Sequence, residues 1–272
     1  MLEVLLLAVG IAGFGMAGYL DLRTTEFPDY LPYAMITLAL LLRGVFSLMQ
    51  NDFSLIINSV IVGGLFLGFG LALYHLKQWG DGDAWLLGAM GFLFPDTVGF
   101  SVSSLLPFPA VLIFNFFFIS FVYLIFYSVA LGWRHSIFGA FFRHLKTKSK
   151  EMAVILAACF SFFAALVLML GSIPHTTDSY TFLLFPSLLF FMSVFVYYGR
   201  FVEQRVFRRK IPVNRLRIGD VPADMRWKVI NRKELAALKR KGGSIWIKEG
   251  VRFAPVFLIT LIVTFLFGSL FI

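Results

Sequence analysis

The chain has 272 residues, of which 59% are apolar and 14% charged, and its net charge is +9. A soluble domain is about 45–50% apolar and about 25% charged, so these values exclude an ordinary soluble domain and a disordered chain alike. Thirty-four Phe residues are more than one water-solvated core of this size buries, and lipid is the natural solvent for such a surface.

Taken in chain order, the apolar runs predict an all-α polytopic membrane protein with about eight transmembrane helices and a small cytoplasmic insert. The runs cover 2–20, 32–49, 53–74, 84–100, 108–132, 152–171, 180–198 and 253–272. Each approaches the length that crosses a bilayer as a helix, and unbroken runs of this kind do not build a closed barrel. Gly88, Gly91 and Pro95 mark the fourth, shortest run for close packing or a bend. The first run lacks the basic n-region of a signal peptide. Residues 1–199 are therefore read as a helical bundle, 200–251 as a basic cytoplasmic module and 252–272 as a last transmembrane helix.

Charge placement gives the orientation. The connections at 50–52, 101–107 and 172–179 hold no Lys or Arg, whereas the connection from Arg200 to Arg252 holds sixteen. Arg23, Lys77 and the group Arg134, Arg143, Lys146, Lys148 and Lys150 fall on the same side as those sixteen. The positive-inside rule makes that side cytoplasmic and puts both termini outside a cell membrane. Arg43, inside the second run, is the one basic residue outside this scheme. Within the basic module, Asn231 to Glu234 reads as a capping box opening a short helix, Lys241-Gly242-Gly243 as its stop, and 244–247 as a short strand. So basic a module beside a membrane is expected to bind anionic lipid headgroups rather than nucleic acid.

Two cytoplasmic connections break the basic pattern. Residues 21–29 hold Asp21, Glu26 and Asp29 against Arg23, and residues 75–83 hold Asp81 and Asp83 against Lys77. Asp21 ends the first run and Asp83 opens the fourth. Brought together, two such carboxylates share one proton, because like charges at close range do not both ionise cheaply. The neutral acid then polarises a carbonyl and the charged one activates water. Gly80 and Gly82 give the backbone beside Asp83 freedom and clearance for a peptide substrate. By themselves these residues are equally an acidic inter-helix turn.

Asp21, the following Pro28-Asp29, and Gly80-Asp81-Gly82-Asp83 in that order resemble the archaeal preflagellin peptidases and type IV prepilin peptidases, the G-x-G-D aspartic proteases of the membrane. The stretch from Gly219 to Asp224 is similar to the C-terminal region of archaeal members. The resemblance implies that Asp21 and Asp83 are catalytic, with Gly80, Gly82 and Pro28 as supporting motif residues. It implies archaellin or pilin precursors as partners, cut at the cytoplasmic face between a basic leader and a hydrophobic segment. Glu26, Asp29 and Asp81 are then the acids available to attract the leader, and Asp29 is also placed to cap the second helix. Trp85 departs from the family, whose members often carry Lys there. Bacterial relatives often add a four-cysteine zinc module; this chain has one cysteine, Cys159, so no cysteine-based metal site and no methyltransferase activity are expected. His75, His135, His144 and His175 are scattered, and no metal or cofactor is expected.

Two other functions fit less well. Presenilin-type intramembrane proteases also use G-x-G-D, but they pair it with Tyr-Asp, where this chain has Leu20 before Asp21, and with Pro-Ala-Leu, which does not occur here. A transporter built on membrane carboxylates predicts charges at mid-span, and Arg43 alone meets that description. A membrane scaffold leaves the two-aspartate pattern unexplained.

Overall fold

The computed structural model describes residues 1–76, 78–96, 106–169, 179–216, 221–223, 230, 232–248 and 250–270. Lys77, the connections at 101–105 and 172–178, Gly219, Asp220, Asp224 and Asn231 lie outside the described residues. The chain divides into two compact units, 1–123 with 250–272 and 124–249.

The first unit is built from α1 (Leu2–Thr24), α2 (Tyr30–Gln50), α3 (Ser54–His75), α4 (Asp81–Leu93), the start of α5 (Phe108–Arg134) and α10 (Pro255–Phe267). Helices α1, α2, α3 and α5 are long and apolar enough to cross a membrane. In α1 the buried positions are Leu2, Leu6, Gly10, Gly13, Phe14, Ala17, Gly18 and Asp21, a single stripe at helical spacing that ends on a carboxylate. The stripe of α2 runs Leu31, Met35, Ala39, Arg43 and Ser47.

Helix α4 is clasped by α3 through small residues. A Cβ added at Gly70 would stand 2.8 Å from the Ala84 carbonyl oxygen and 2.9 Å from its Cα. Gly88 and Gly91 of α4 accept Leu67 and Phe66 of α3 in the same way. With no hydrophobic drive between helices in lipid, such backbone approach supplies the packing.

Two expected spans are shorter than the sequence suggests. Helix α4 ends at Leu93 and α10 at Phe267, each after thirteen residues, about 20 Å of helix. The reason for α4 is tertiary. Ser59 donates to the Phe92 carbonyl at 2.6 Å and Arg43 to the Leu93 carbonyl at 3.0 Å, so the helix end is satisfied by other helices ahead of Pro95. Buried Asn115 of α5 ends α10, donating to the Gly268 carbonyl at 2.8 Å and accepting the Leu270 N–H at 3.1 Å.

The second unit holds α6 (Phe138–Thr147), α7 (Ser149–Met169), α8 (Ser179–Val202), α9 (Arg232–Lys241) and three strands, β1 (Arg208–Pro212), β2 (Val221–Pro222) and β3 (Ser244–Lys248). Helix α6 was not expected in the connection it occupies. It is amphipathic and packs Phe141 on Tyr198 and Phe201 of α8. The strands form an antiparallel sheet in the order β1-β3-β2. Strand β3 falls where the sequence predicts one, and α9 stops at Gly242 and Gly243, whose φ angles of +67° and +93° suit glycine. Among the described residues the sheet is the small exception to a helical structure.

Candidate active site

Asp21 is buried at the last turn of α1, which closes on Thr25 in the left-handed conformation. Its position follows from the apolar stripe beneath it: residues 10, 13, 14, 17, 18 and 21 face one way, and Gly18 lets the Pro255 backbone come within 3.1 Å of where a Cβ would be. That approach brings the start of α10 onto the carboxylate. Asp21 Oδ2 accepts the Ala254 N–H at 2.9 Å, the Phe253 N–H also donates to it, and the Arg252 charge acts on it. Tyr123 of α5 fixes this segment by donating to the Arg252 carbonyl at 2.6 Å. Asp21 is thus held by the N-terminal end of a helix 233 residues away in sequence, where unpaired N–H groups and the helix dipole favour an anion.

Asp83 lies in the first turn of α4, ahead of the apolar part of that helix, and is half-buried. Gly80 is the N-cap, and its N–H donates to the Asp83 carboxylate, the reciprocal half of a capping box. Ala84, the next residue, is the one pressed on Gly70. Loss of hydration, first, and the neighbouring Asp21 carboxylate, second, push the Asp83 carboxyl up to about 7, against the opposing Gly80 hydrogen bond. The two aspartates, from opposite ends of the first hundred residues, therefore share one electrostatic environment.

The supporting motif residues act differently from the sequence expectation. Gly80 has an ordinary φ of −73° and needs no glycine for its backbone. Gly82 does supply clearance, but Phe27 of the 21–29 connection uses it: a Cβ there would stand 2.6 Å from the Phe27 ring. Pro28 accepts the Leu31 N–H at 3.0 Å and opens α2. Asp29 sits at the N-cap position of α2 but makes no side-chain capping bond. Glu26, Asp29 and Asp81 are exposed. Trp85 meets Tyr33 of α2 edge-on at 4.6 Å. Among the described residues no group of three or more His, Cys, Asp and Glu is placed to hold a metal ion.

Sequence reasoning missed Arg252, Phe253, Ala254 and Tyr123. Their only sequence signal is Ala254-Pro255, a Pro at the first position of a helix.

Residues 8–129 match the type IV leader peptidase family. The chain is 28% identical over 126 residues to a protein of Methanothermobacter thermautotrophicus named prepilin peptidase EppA, covering 42% of this chain and 32% of that protein. It is 32% identical over 89 residues to a preflagellin peptidase of Methanocaldococcus jannaschii, covering 32% of this chain and 37% of that protein. The matched stretches thus span about a third of the length of these relatives. No solved structure matches the chain. Asp21 and Asp83 both lie inside the stretch 8–129, and over that stretch the chain is similar to the type IV leader peptidase family.

Proposed function

We propose that the chain is a membrane aspartic endopeptidase that removes type IV pilin-like leader peptides from archaellin or pilin precursors, with Asp21 and Asp83 as its catalytic pair. The observation that carries this reading is the packing of α1 against α4, with Asp21 in the last turn of one helix and Asp83 in the first turn of the other, close enough that the Asp21 carboxylate acts on Asp83.

The environments of the two carboxyls divide the work. Asp83, with its carboxyl pushed up to about 7, holds the shared proton at neutral pH. Asp21 accepts the Ala254 and Phe253 N–H groups and lies near Arg252, and in this reading it is the partner that activates water. Asp21 takes a proton from water as its oxygen attacks the scissile carbonyl, and Asp83 gives its proton to the carbonyl oxygen. On collapse of the tetrahedral intermediate, Asp21 passes its proton to the leaving amine and Asp83 recovers its own. One water is consumed and the pair returns to its starting state.

In this reading residues 1–199 form the bundle that carries the pair, 200–251 a basic module and 252–272 the helix whose start seats Asp21. Positive-inside asymmetry puts both aspartates at the cytoplasmic face and both termini outside. The test is co-expression with candidate precursors, followed by N-terminal sequencing of the product. Wild type yields a mature N-terminus directly after the leader. Asp21→Asn and Asp83→Asn each lose at least about a thousandfold in rate, and the double variant is little worse, because the pair acts as a unit. Substantial cleavage by either single variant overturns the assignment.

A further inference from the structure

The small sheet of the second unit has two unlike faces. In the antiparallel register Ile211 pairs with Ile245, while Lys210 pairs with Trp246 and Pro212 with Ser244. Alternation along a strand sends these two sets to opposite sides. Ile211, Ile245 and Ile247 pack with Leu216, Ile230 and the α9 residues Leu235 and Leu238. The other face carries Arg208, Lys210, Ser244 and Trp246, all exposed, with the indole 48% accessible. A large aromatic left open on a three-stranded sheet, directly opposite a lysine, forgoes burial that the same side chain would gain on the inner face.

The chain path limits what meets this face. Strand β1 leaves α8 through one π-helical turn, Glu203–Phe207. Residues 180–198 of α8 contain no charged residue, and the first cation after them is Arg200. An α8 seated in a bilayer therefore places Arg208 within a few residues of the headgroups, and a five-residue strand extends only about 17 Å further. Trp partitions to the membrane–water interface, and Lys and Arg are drawn to anionic headgroups there.

We propose that the Arg208–Lys210–Trp246 face of this sheet docks on the anionic headgroup layer of the membrane that holds α8, with the Trp246 ring at headgroup level and the α9 side turned to water. The proposal stands apart from the peptidase reading, since it requires no cleavage activity.

The experiment uses the full chain with Cys159→Ser and a single nitroxide-labelled cysteine, in nanodiscs of phosphatidylcholine with or without phosphatidylglycerol. The label replaces Ser244, on the docking face, or Lys239, exposed on α9. Accessibility to a water-soluble nickel reagent reads depth. The Ser244 label becomes several-fold less accessible when phosphatidylglycerol is present, while the Lys239 label stays open in both lipids. Raising salt on the otherwise unmodified chain restores access at Ser244, and so does the pair Arg208→Gln and Lys210→Gln. Equal access at Ser244 in both lipids overturns the proposal, as does protection of Lys239 in its place. Protection of Ser244 by an added acidic peptide and not by phosphatidylglycerol overturns it too, and assigns the face to an acidic protein segment.

Discussion

Arg43 and Asp96 meet at the opposite end of α4 from Asp83. Arg43 Nη1 lies 3.3 Å from Asp96 Oδ2, and Nη2 lies 3.4 Å from Oδ1 while also donating to the Leu93 carbonyl at 3.0 Å. The two partners are buried unequally, 1% of the arginine side chain and 41% of the aspartate being accessible. Removing the aspartate strands a buried cation, whereas removing the arginine leaves a carboxylate that water reaches. Asp96→Leu is therefore expected to cost about 3 kcal/mol and Arg43→Met about half as much, the latter through the unsatisfied Leu93 carbonyl. The double variant recovers most of the Asp96→Leu loss. Thermal unfolding of the four proteins in one detergent measures the cycle, and additive losses would mean that the pair is not coupled.

Part of this arrangement is legible in the sequence. The apolar runs place α1, α2, α3 and α5, but the inward faces on which Asp21 and Arg43 lie appear only in the structure, because α1 is apolar nearly all round. The position of Asp21 at the end of the first run and the run Gly80-Asp81-Gly82-Asp83 are what the proposed pairing takes from the sequence. What is not legible depends on distant contacts. Nothing in α4 itself says that it stops at Leu93, because its last carbonyls are taken by Ser59 and Arg43. Nothing near Asp21 announces that Ala254 donates to it. The packing of α9 on the Ile245 and Ile247 side of β3, which leaves Trp246 on the other face, is likewise a long-range fact.

The Asp83 carboxyl makes stability depend on pH in a definite direction. Its value is 3.8 in an ordinary setting and about 7 in the folded chain. Between these the folded state binds the extra proton, so stability falls as pH rises from about 4 to about 7 and is flat above. Asp83→Asn removes that slope: its melting temperature matches wild type near pH 4 and exceeds it by a growing margin up to pH 7. Since the protonated form is the one assigned to polarise the carbonyl, wild-type kcat/KM declines above about pH 7. A melting difference that does not change with pH would contradict the coupling of Asp83 to its surroundings.

Close approach of α3 and α4 can be tested with matched glycines. Gly70→Ala sets a methyl against the Ala84 backbone, which cannot yield without moving the first turn of α4. A loss of about 1–3 kcal/mol is expected, with a drop in activity because Asp83 is the adjoining residue. Gly64 lies on the same helix with nothing within 4 Å of an added Cβ. Gly64→Ala should be neutral or stabilising by up to about 1 kcal/mol, from helix propensity alone. Equal effects at the two positions would show that the measured loss is not one of packing.

Substrate charge offers the sharpest test of how precursors are selected. In the proposed reading the leader carries Lys or Arg just before the cut. Of the acids in the two connections that hold the aspartate pair, Glu26, Asp29 and Asp81 are exposed and free of the tight burial that occupies Asp21. Asp81 is two residues from Asp83 in the same turn of α4, and Glu26 precedes Phe27, the residue seated on Gly82. Both therefore lie in segments that pack against one another at the site. Exposed charges attract by long-range field, so neutralising them should slow capture and leave the chemical step alone. Glu26→Gln with Asp81→Asn is expected to raise KM several-fold for a precursor with a basic leader, to leave kcat near wild type, and to change neither for a Gln-substituted leader. Added salt should shrink the wild-type preference by screening the same field. A preference ratio unchanged by the two substitutions would place charge reading elsewhere in the chain, and a fall in kcat instead of a rise in KM would mean that these acids hold the geometry of the aspartate pair.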